Sequence, residues 1–157
     1  MIMLTKAAFS DCEEMHHIRF SVFSPLLEKY QDYDTNPANK PIEHIIQNMQ
    51  NNSFDFFLIK LDIKTIGYIR IRKADENKCN LSQIAILQEY QGNGYAQEAI
   101  KQVELLYPNM NTWELETIKQ ENKLCHLYER LGYEFTGKEE NINDKMDIVF
   151  YEKHIRK

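Results

Sequence analysis

Apolar and polar positions along the chain follow two distinct periods, and the switches between them mark out the elements. "MLTKAA" reads as a short strand. "SDCEEMHHIRFSVFSPLLEKY" follows a helical period, with Ser10 or Asp11 as cap and Met15, Ile18, Phe20, Val22 and Phe23 as a broad apolar face. "QDYDTNPANKP" is dense in turn formers and is expected to be a loop, after which Pro41 opens a second helix, "PIEHIIQNMQ", in its first turn. "FDFFLIKLD", "IGYIRIRKA" and "CNLSQIAI" then read as three consecutive antiparallel strands, the first two joined by a tight turn and the third reached through "DENK".

"EYQGNGYAQEAIKQVE" breaks this pattern by placing Gly92 and Gly94 in front of a helix that runs to about Leu106 and is ended by Pro108. "NTWELETI" alternates as a strand, with Trp113, Leu115 and Thr117 on one face and Glu114 and Glu116 on the other. "QENKLCHLYERLGY" is a helix closed by Gly132, and "YEFTGKEE" and "KMDIVFYEKHI" form a final antiparallel pair that turns near Asn143 and Asp144. No internal repeat or low-complexity segment interrupts this order. The expected fold class is α/β: one domain over residues 1–157, a mostly antiparallel mixed sheet with helices packed on it.

A chain of 157 residues can bury a sizeable core, and its 43% hydrophobic and 27% charged residues are ordinary for a globular protein. No apolar run approaches the roughly 18 residues that span a bilayer. The segment "MIMLTKAAFSDCEE" lacks the basic, apolar and small-residue zones of a secretory signal, so a cytoplasmic setting is expected, away from membranes. The net charge of -5 argues against a nucleic-acid binder, whose affinity rests on Lys and Arg neutralising phosphates. Cys12, Cys79 and Cys125 are odd in number and share no CxxC or Cys/His spacing, so neither a disulfide framework nor a metal site is expected.

Of only 5 glycines, two stand at one helix start. Glycine there costs helix stability, which points to a backbone shape that a side chain would obstruct. Two readings fit these residues: a plain strand-to-helix turn, or a cradle for an anion. In the second, backbone N–H groups left unpaired at the helix start, together with the positive end of the helix dipole, suit a pyrophosphate. The dinucleotide fingerprint GxGxxG fails because position 97 is Gln, and no GK[ST] follows to make a P-loop.

"IAILQEYQGNGYAQEAI" resembles the acyl-CoA signature [RQ]-x-x-G-x-[GA] of the GNAT superfamily of N-acetyltransferases, met by Gln91, Gly94 and Ala96. "LYERLGYEFTG" resembles that superfamily's second signature, a Tyr and a Gly-aromatic pair closing the helix after the fifth strand. The order of elements is similar to the superfamily fold from end to end. The resemblance implies a central strand pair that splays apart, with acetyl-CoA as acyl donor. It implies that backbone of Ile84, Ala85 and Ile86 pairs with the pantetheine arm, and that backbone of Gln91, Gly92, Asn93, Gly94, Tyr95 and Ala96 holds the pyrophosphate. The superfamily commonly places an Asn seven residues before the Tyr; here that residue is Glu121, and Asn122 stands one place late, either as a cofactor contact or as a helix cap.

The resemblance makes Tyr128 the general acid for the leaving thiolate, since a phenol with a reference pKa of about 10 is protonated at neutral pH. Glu116 is a candidate base beside the expected cleft, although a solvated Glu fits the same residue. His16 and His17 are further candidates, pointing in different directions from one helix. The resemblance places the acceptor at the first helix and its loop, where Glu28, Asp32 and Asp34 lie among Tyr30 and Tyr33 and suit a cationic amine. The partner expected is a small-molecule or peptide amine, with a homodimer left open. A non-catalytic acyl-CoA-binding module on the same fold is the alternative function.

Overall fold

A computed structural model of the chain describes residues 1–155; Arg156 and Lys157, the end of the expected domain, lie outside the described residues. Strand β1 (Ile2–Lys6) is followed by helices α1 (Cys12–Tyr30) and α2 (Ile42–Gln50), and then by β2 (Phe54–Leu61), β3 (Lys64–Lys73) and β4 (Lys78–Ile86). A 3-10 turn at Gln88–Tyr90 leads to α3 (Tyr95–Leu106), β5 (Thr112–Ile118), α4 (Asn122–Arg130), β6 (Glu134–Asn143) and β7 (Met146–His154). The order is the one that hydrophobic periodicity predicts, with boundaries shifted by up to three residues.

The strands form one sheet in the order β1-β2-β3-β4-β5-β7-β6. Every neighbouring pair is antiparallel except β4 and β5. That parallel pair meets at Lys78–Thr112, Cys79–Trp113 and Asn80–Glu114 and then parts, so β4 from Leu81 onward presents a free backbone edge. A bulge lies at the same place. Arg70 opposes Gln83 while Ile71 opposes Leu81, which leaves Ser82 as the extra residue and bends β4 where it leaves β5.

Side-chain alternation assigns the two faces. Ile69, Ile71, Cys79, Leu81, Trp113 and Leu115 pack with Ile100 and Val103 of α3 and with Tyr128 of α4. On the other face Phe56, Leu58, Tyr68 and Ala85 pack with Met15 and Ile18 of α1 and Ile45 of α2. At about 25 cal/mol per Å2 of apolar area, each such side chain contributes roughly 1.5–3 kcal/mol, so both helical layers are anchored on the sheet.

Two expectations at α1 are corrected. Phe20 is 56% exposed, and Arg19 takes its place in the buried stripe at 1%. A helix advances about 100° per residue, so Arg19 and Val22 fall near the direction of Met15 while Phe20 falls about 140° away. Arg19 is tolerated there because its Nη2 donates to the carbonyls of Lys40 (2.8 Å) and Pro41 (3.0 Å), closing the α1–α2 loop. Asp11 holds the expected cap position of α1, but the expected side-chain cap bond is absent, because its carboxylate accepts from the N–H of Ala8 (2.7 Å) rather than from inside the helix. Pro41 stands just before α2 instead of within its first turn.

Candidate active site

The glycine loop sits beyond the free end of β4. Gly92 (φ 82°) and Gly94 (φ 80°) both occupy the left-handed region, and a Cβ at either would meet nothing within 4 Å. Backbone conformation, not crowding, therefore requires glycine here, and the space above the loop is open. The first bond of α3 runs from the Glu98 N–H to the Gly94 carbonyl (3.1 Å); among the described residues the N–H groups of 92–97 find no acceptor. Gln91 and Asn93 hold the loop from behind. Gln91 Nε2 donates to the Ile86 carbonyl (2.8 Å), and Asn93 Nδ2 to the carbonyl of Tyr90 (3.2 Å). Tyr95 and Ala96 form the first turn of α3 and are half-buried. A row of unpaired N–H groups at a helix N-terminus fits an anionic oxygen cluster such as a pyrophosphate.

From this loop the cleft follows the unpaired edge of β4. Ala85 and Ile86 are buried and Ile84 half-buried, so their side chains are fixed in the core while the backbone edge faces the gap. The Ile86 carbonyl is already engaged by Gln91.

Tyr128 comes from α4, whose Leu124, Cys125, Tyr128 and Leu131 lie on one face at helical spacing and pack on β5. It is 6% exposed, and its ring meets Tyr133 edge-on at 6.2 Å. Burial, with a smaller contribution from the neighbouring Cys125 thiol, pushes its hydroxyl up to about 12. Other tyrosines of this layer donate to carboxylates: Tyr133 to Glu104 (2.8 Å), Tyr151 to Glu129 (2.7 Å) and Tyr107 to Asp55. The Tyr128 hydroxyl has no such partner among the described residues, so its proton is uncommitted.

Glu116 is exposed on β5 opposite Phe150, on the face away from Trp113 and Leu115. It forms no ion pair among the described residues and does not touch Tyr128. His16 is half-buried and His17 exposed on α1. Asn122 is the first residue of α4 and exposed, so the cap position falls to Glu121 and the expectation that Asn122 caps the helix is corrected. The Glu121 carbonyl receives the N–H groups of Leu124 and Cys125, while its carboxylate accepts from Lys29 Nζ (2.8 Å) and from the Tyr30 hydroxyl. Burial pushes this carboxyl up, and the bonds from Lys29 and Tyr30 outweigh burial and hold it below the usual range.

Of the acids expected to face the acceptor, Glu28 and Asp34 are exposed but Asp32 is turned inward, 6% exposed, with Oδ2 accepting from Thr35 (2.9 Å). A turn in which the Asp32 carbonyl accepts from the N–H groups of Thr35 and Asn36 draws it in.

Periodicity passed over a polar cluster on the α1/α2 face of the bulge. Arg70 Nε donates to Ser82 Oγ (2.9 Å), which donates to the Arg70 carbonyl (3.0 Å), and the Tyr68 hydroxyl bonds the Gln83 amide oxygen. Two adjacent polar residues, Ser82 and Gln83, inside the apolar run of "CNLSQIAI" are the signal that marks it. Among the described residues no group of His, Cys, Asp and Glu is placed to hold a metal, and no helix is long and apolar enough to cross a membrane.

The sequence profile of the Acetyltransferase (GNAT) family matches residues 13–133. No curated protein matches the chain. Solved structures with the same fold include spermidine N-acetyltransferase from Vibrio cholerae in complex with CoA and spermine (18% identity, TM-score 0.77, covering 98% of this chain and 95% of that one). The ribosomal-protein-S18-alanine N-acetyltransferase from Escherichia coli is 16% identical with a TM-score of 0.78, covering 99% of this chain and 94% of that one. A GNAT family acetyltransferase from Elizabethkingia anophelis with acetyl-CoA bound is 17% identical with a TM-score of 0.69, covering 98% of each chain. With that profile spanning both the glycine loop and the Tyr128 helix, this chain belongs to the GNAT acetyltransferase family.

Proposed function

We propose that the protein is an acetyl-CoA-dependent N-acetyltransferase, a single domain that moves the acetyl group directly to a primary amine while donor and acceptor are bound together. The observation that carries this is the continuous run from the unpaired edge of β4 to the N–H groups of 92–97, with an uncommitted tyrosine hydroxyl in the same helical layer. In this reading the N–H groups of Gly92 to Ala96 hold the pyrophosphate, Gln91, whose own N–H donates to the Gln88 carbonyl (3.1 Å), anchors the start of the loop, and the edge of Ile84 and Ala85 pairs with the pantetheine amides. The same edge orients the thioester carbonyl so that backbone N–H groups stabilise the oxyanion.

The amine nitrogen attacks the carbonyl carbon from the α1/α2 side, forming the new C–N bond. Collapse of the tetrahedral intermediate breaks the C–S bond, Tyr128 gives its proton to the departing sulfur, and the amine loses its proton to solvent or a base. A lysine-like amine is mostly protonated at pH 7, and making it neutral costs about 4 to 5 kcal/mol. Glu116, exposed on the acceptor side of β5, is the proposed base, acting directly or through water. Asn122, exposed at the start of α4, is retained as a proposed cofactor contact.

An acyl-enzyme route finds no support, because burial raises the pKa of all three thiols, Cys12, Cys79 and Cys125. Those free thiols accord with a reducing, cytoplasmic setting, which is part of the proposal. A non-catalytic acyl-CoA-binding module would keep the cradle but has no use for an uncommitted hydroxyl at Tyr128. The test is release of free thiol from acetyl-CoA across a panel of amines. Amine-dependent release, with acetylated amine formed in equal amount, supports the transferase; binding of acetyl-CoA without release with any amine would contradict it.

A further inference from the structure

We propose that the acceptor carries a carboxylate besides its amine, and that the guanidinium of Arg70, backed by Arg19, receives it on the α1/α2 side of the β4 bulge. The inference rests on the transferase reading above and names the substrate class of that site. Arg70 reaches across from β3 to β4, with Nε on Ser82 Oγ at 2.9 Å, one residue from Gln83 and two from Ile84, where the thioester is placed. The bulge makes this possible, because it sets Ser82 and Gln83 on the same face as Arg70.

The charge balance of this side-chain cluster is anomalous. The chain has 24 acidic residues against 19 Lys and Arg, yet among the described residues neither Arg70 nor Arg19 has a carboxylate within ion-pair distance. Arg19 is 1% exposed, and its Nε lies buried without any hydrogen-bond partner. Its Nη1 meets only Nδ1 of His44 (3.1 Å), and burial, with the charges of Arg19, Arg70 and Lys40, holds that imidazole below its usual range. Arg70 stacks on Phe54 (5.2 Å) and is partly exposed, with no protein acceptor for its terminal nitrogens among the described residues. A guanidinium withdrawn from water without a counter-charge is costly, and a planar carboxylate matches its paired donors. The amine end of such an acceptor then lies toward the gap between β4 and β5, where attack occurs.

The test compares amino acids with increasing amine-to-carboxylate spacing, from glycine to 6-aminohexanoate and lysine, against their carboxamides, by kcat/KM for thiol release. At least one acid should exceed its carboxamide by about tenfold or more, the factor carried by a hydrogen bond to a charged group. Arg70→Gln should collapse that ratio to within about threefold of one, and Arg70→Lys, which keeps the charge but loses the fork, should leave it in between. Binding of the N-acetylated products in the presence of CoA, measured by calorimetry, supplies a readout that needs no turnover and should show the same preference. Carboxamides or plain amines that work as well as the acids would overturn the proposal and leave the transferase standing. The absence of thiol release with any amine would instead count against the transferase reading, and product binding without a carboxylate preference would then overturn this proposal too.

Discussion

The proposed chemistry rests on single residues, and each has a substitution that isolates it. Gly94 is glycine for its left-handed backbone, so Gly94→Val should cost the free protein about 1–2 kcal/mol and remove the N–H row from register. Acetyl-CoA should then no longer raise the melting temperature; equal shifts in both proteins would refute the cradle. Tyr128→Phe keeps the ring and its contact with Tyr133, so stability and acetyl-CoA affinity should change little while turnover falls roughly 100-fold. Because burial pushes the Tyr128 hydroxyl up to about 12, wild-type activity should climb with pH as the amine loses its proton. No tyrosine-derived decline should appear below about pH 10, near the reference value of a phenol. A drop near pH 8 that Tyr128→Phe abolishes would contradict this. Gly94 and Tyr128 stood out in the sequence because each belongs to a short motif. Arg19 did not, because a buried arginine in an apolar stripe follows no local rule and is explained only by the loop carbonyls of Lys40 and Pro41 that meet it in the fold.

Among elements, the junction of α1 with α4 behaves as a clasp. Glu121 joins the first residues of α4 to Lys29 and Tyr30 at the end of α1, and Asn143 in the β6–β7 turn donates to the Tyr30 carbonyl (2.9 Å). The Glu121 carboxyl titrates lower in the folded protein than in the unfolded chain, where its value is about 4.3. Its contribution is therefore present above that value and is lost as pH falls through the folded value. Glu121→Gln should lower the denaturation midpoint at pH 7, and the difference from wild type should shrink by pH 3; a constant difference across that range would remove the linkage. The helices and β5 were legible from periodicity because each buries one face, and β2 and β3 were legible as apolar runs because both their faces are covered. The bulge at Ser82 and the α1–α4 clasp were not, since both depend on residues brought together across 12 and 91 positions of chain.

At the scale of the whole molecule, the parting of β4 and β5 after three paired residues opens the gap that the proposed function uses as its binding site. Local pattern predicts the strands but not the gap, which needs the bulge, the meander of β2, β3 and β4 on one side and the β5–β7–β6 group on the other. The resemblance carried by "QGNGYA" and "LYERLGY" supplied the splay that periodicity could not. A ligand filling this gap should stabilise both halves together: at 100 times its dissociation constant, acetyl-CoA should add about 2.7 kcal/mol to the unfolding free energy. The most direct test of the account is amine-dependent thiol release by wild type and Tyr128→Phe, measured at saturating acetyl-CoA on protein whose stabilisation by acetyl-CoA has been verified. The account predicts release matched by acetylated amine in the wild type and a roughly 100-fold slower rate in the variant, with stabilisation retained. Release that is absent with every amine while acetyl-CoA still stabilises the protein, or a rate unchanged by Tyr128→Phe where chemistry is limiting, would contradict it.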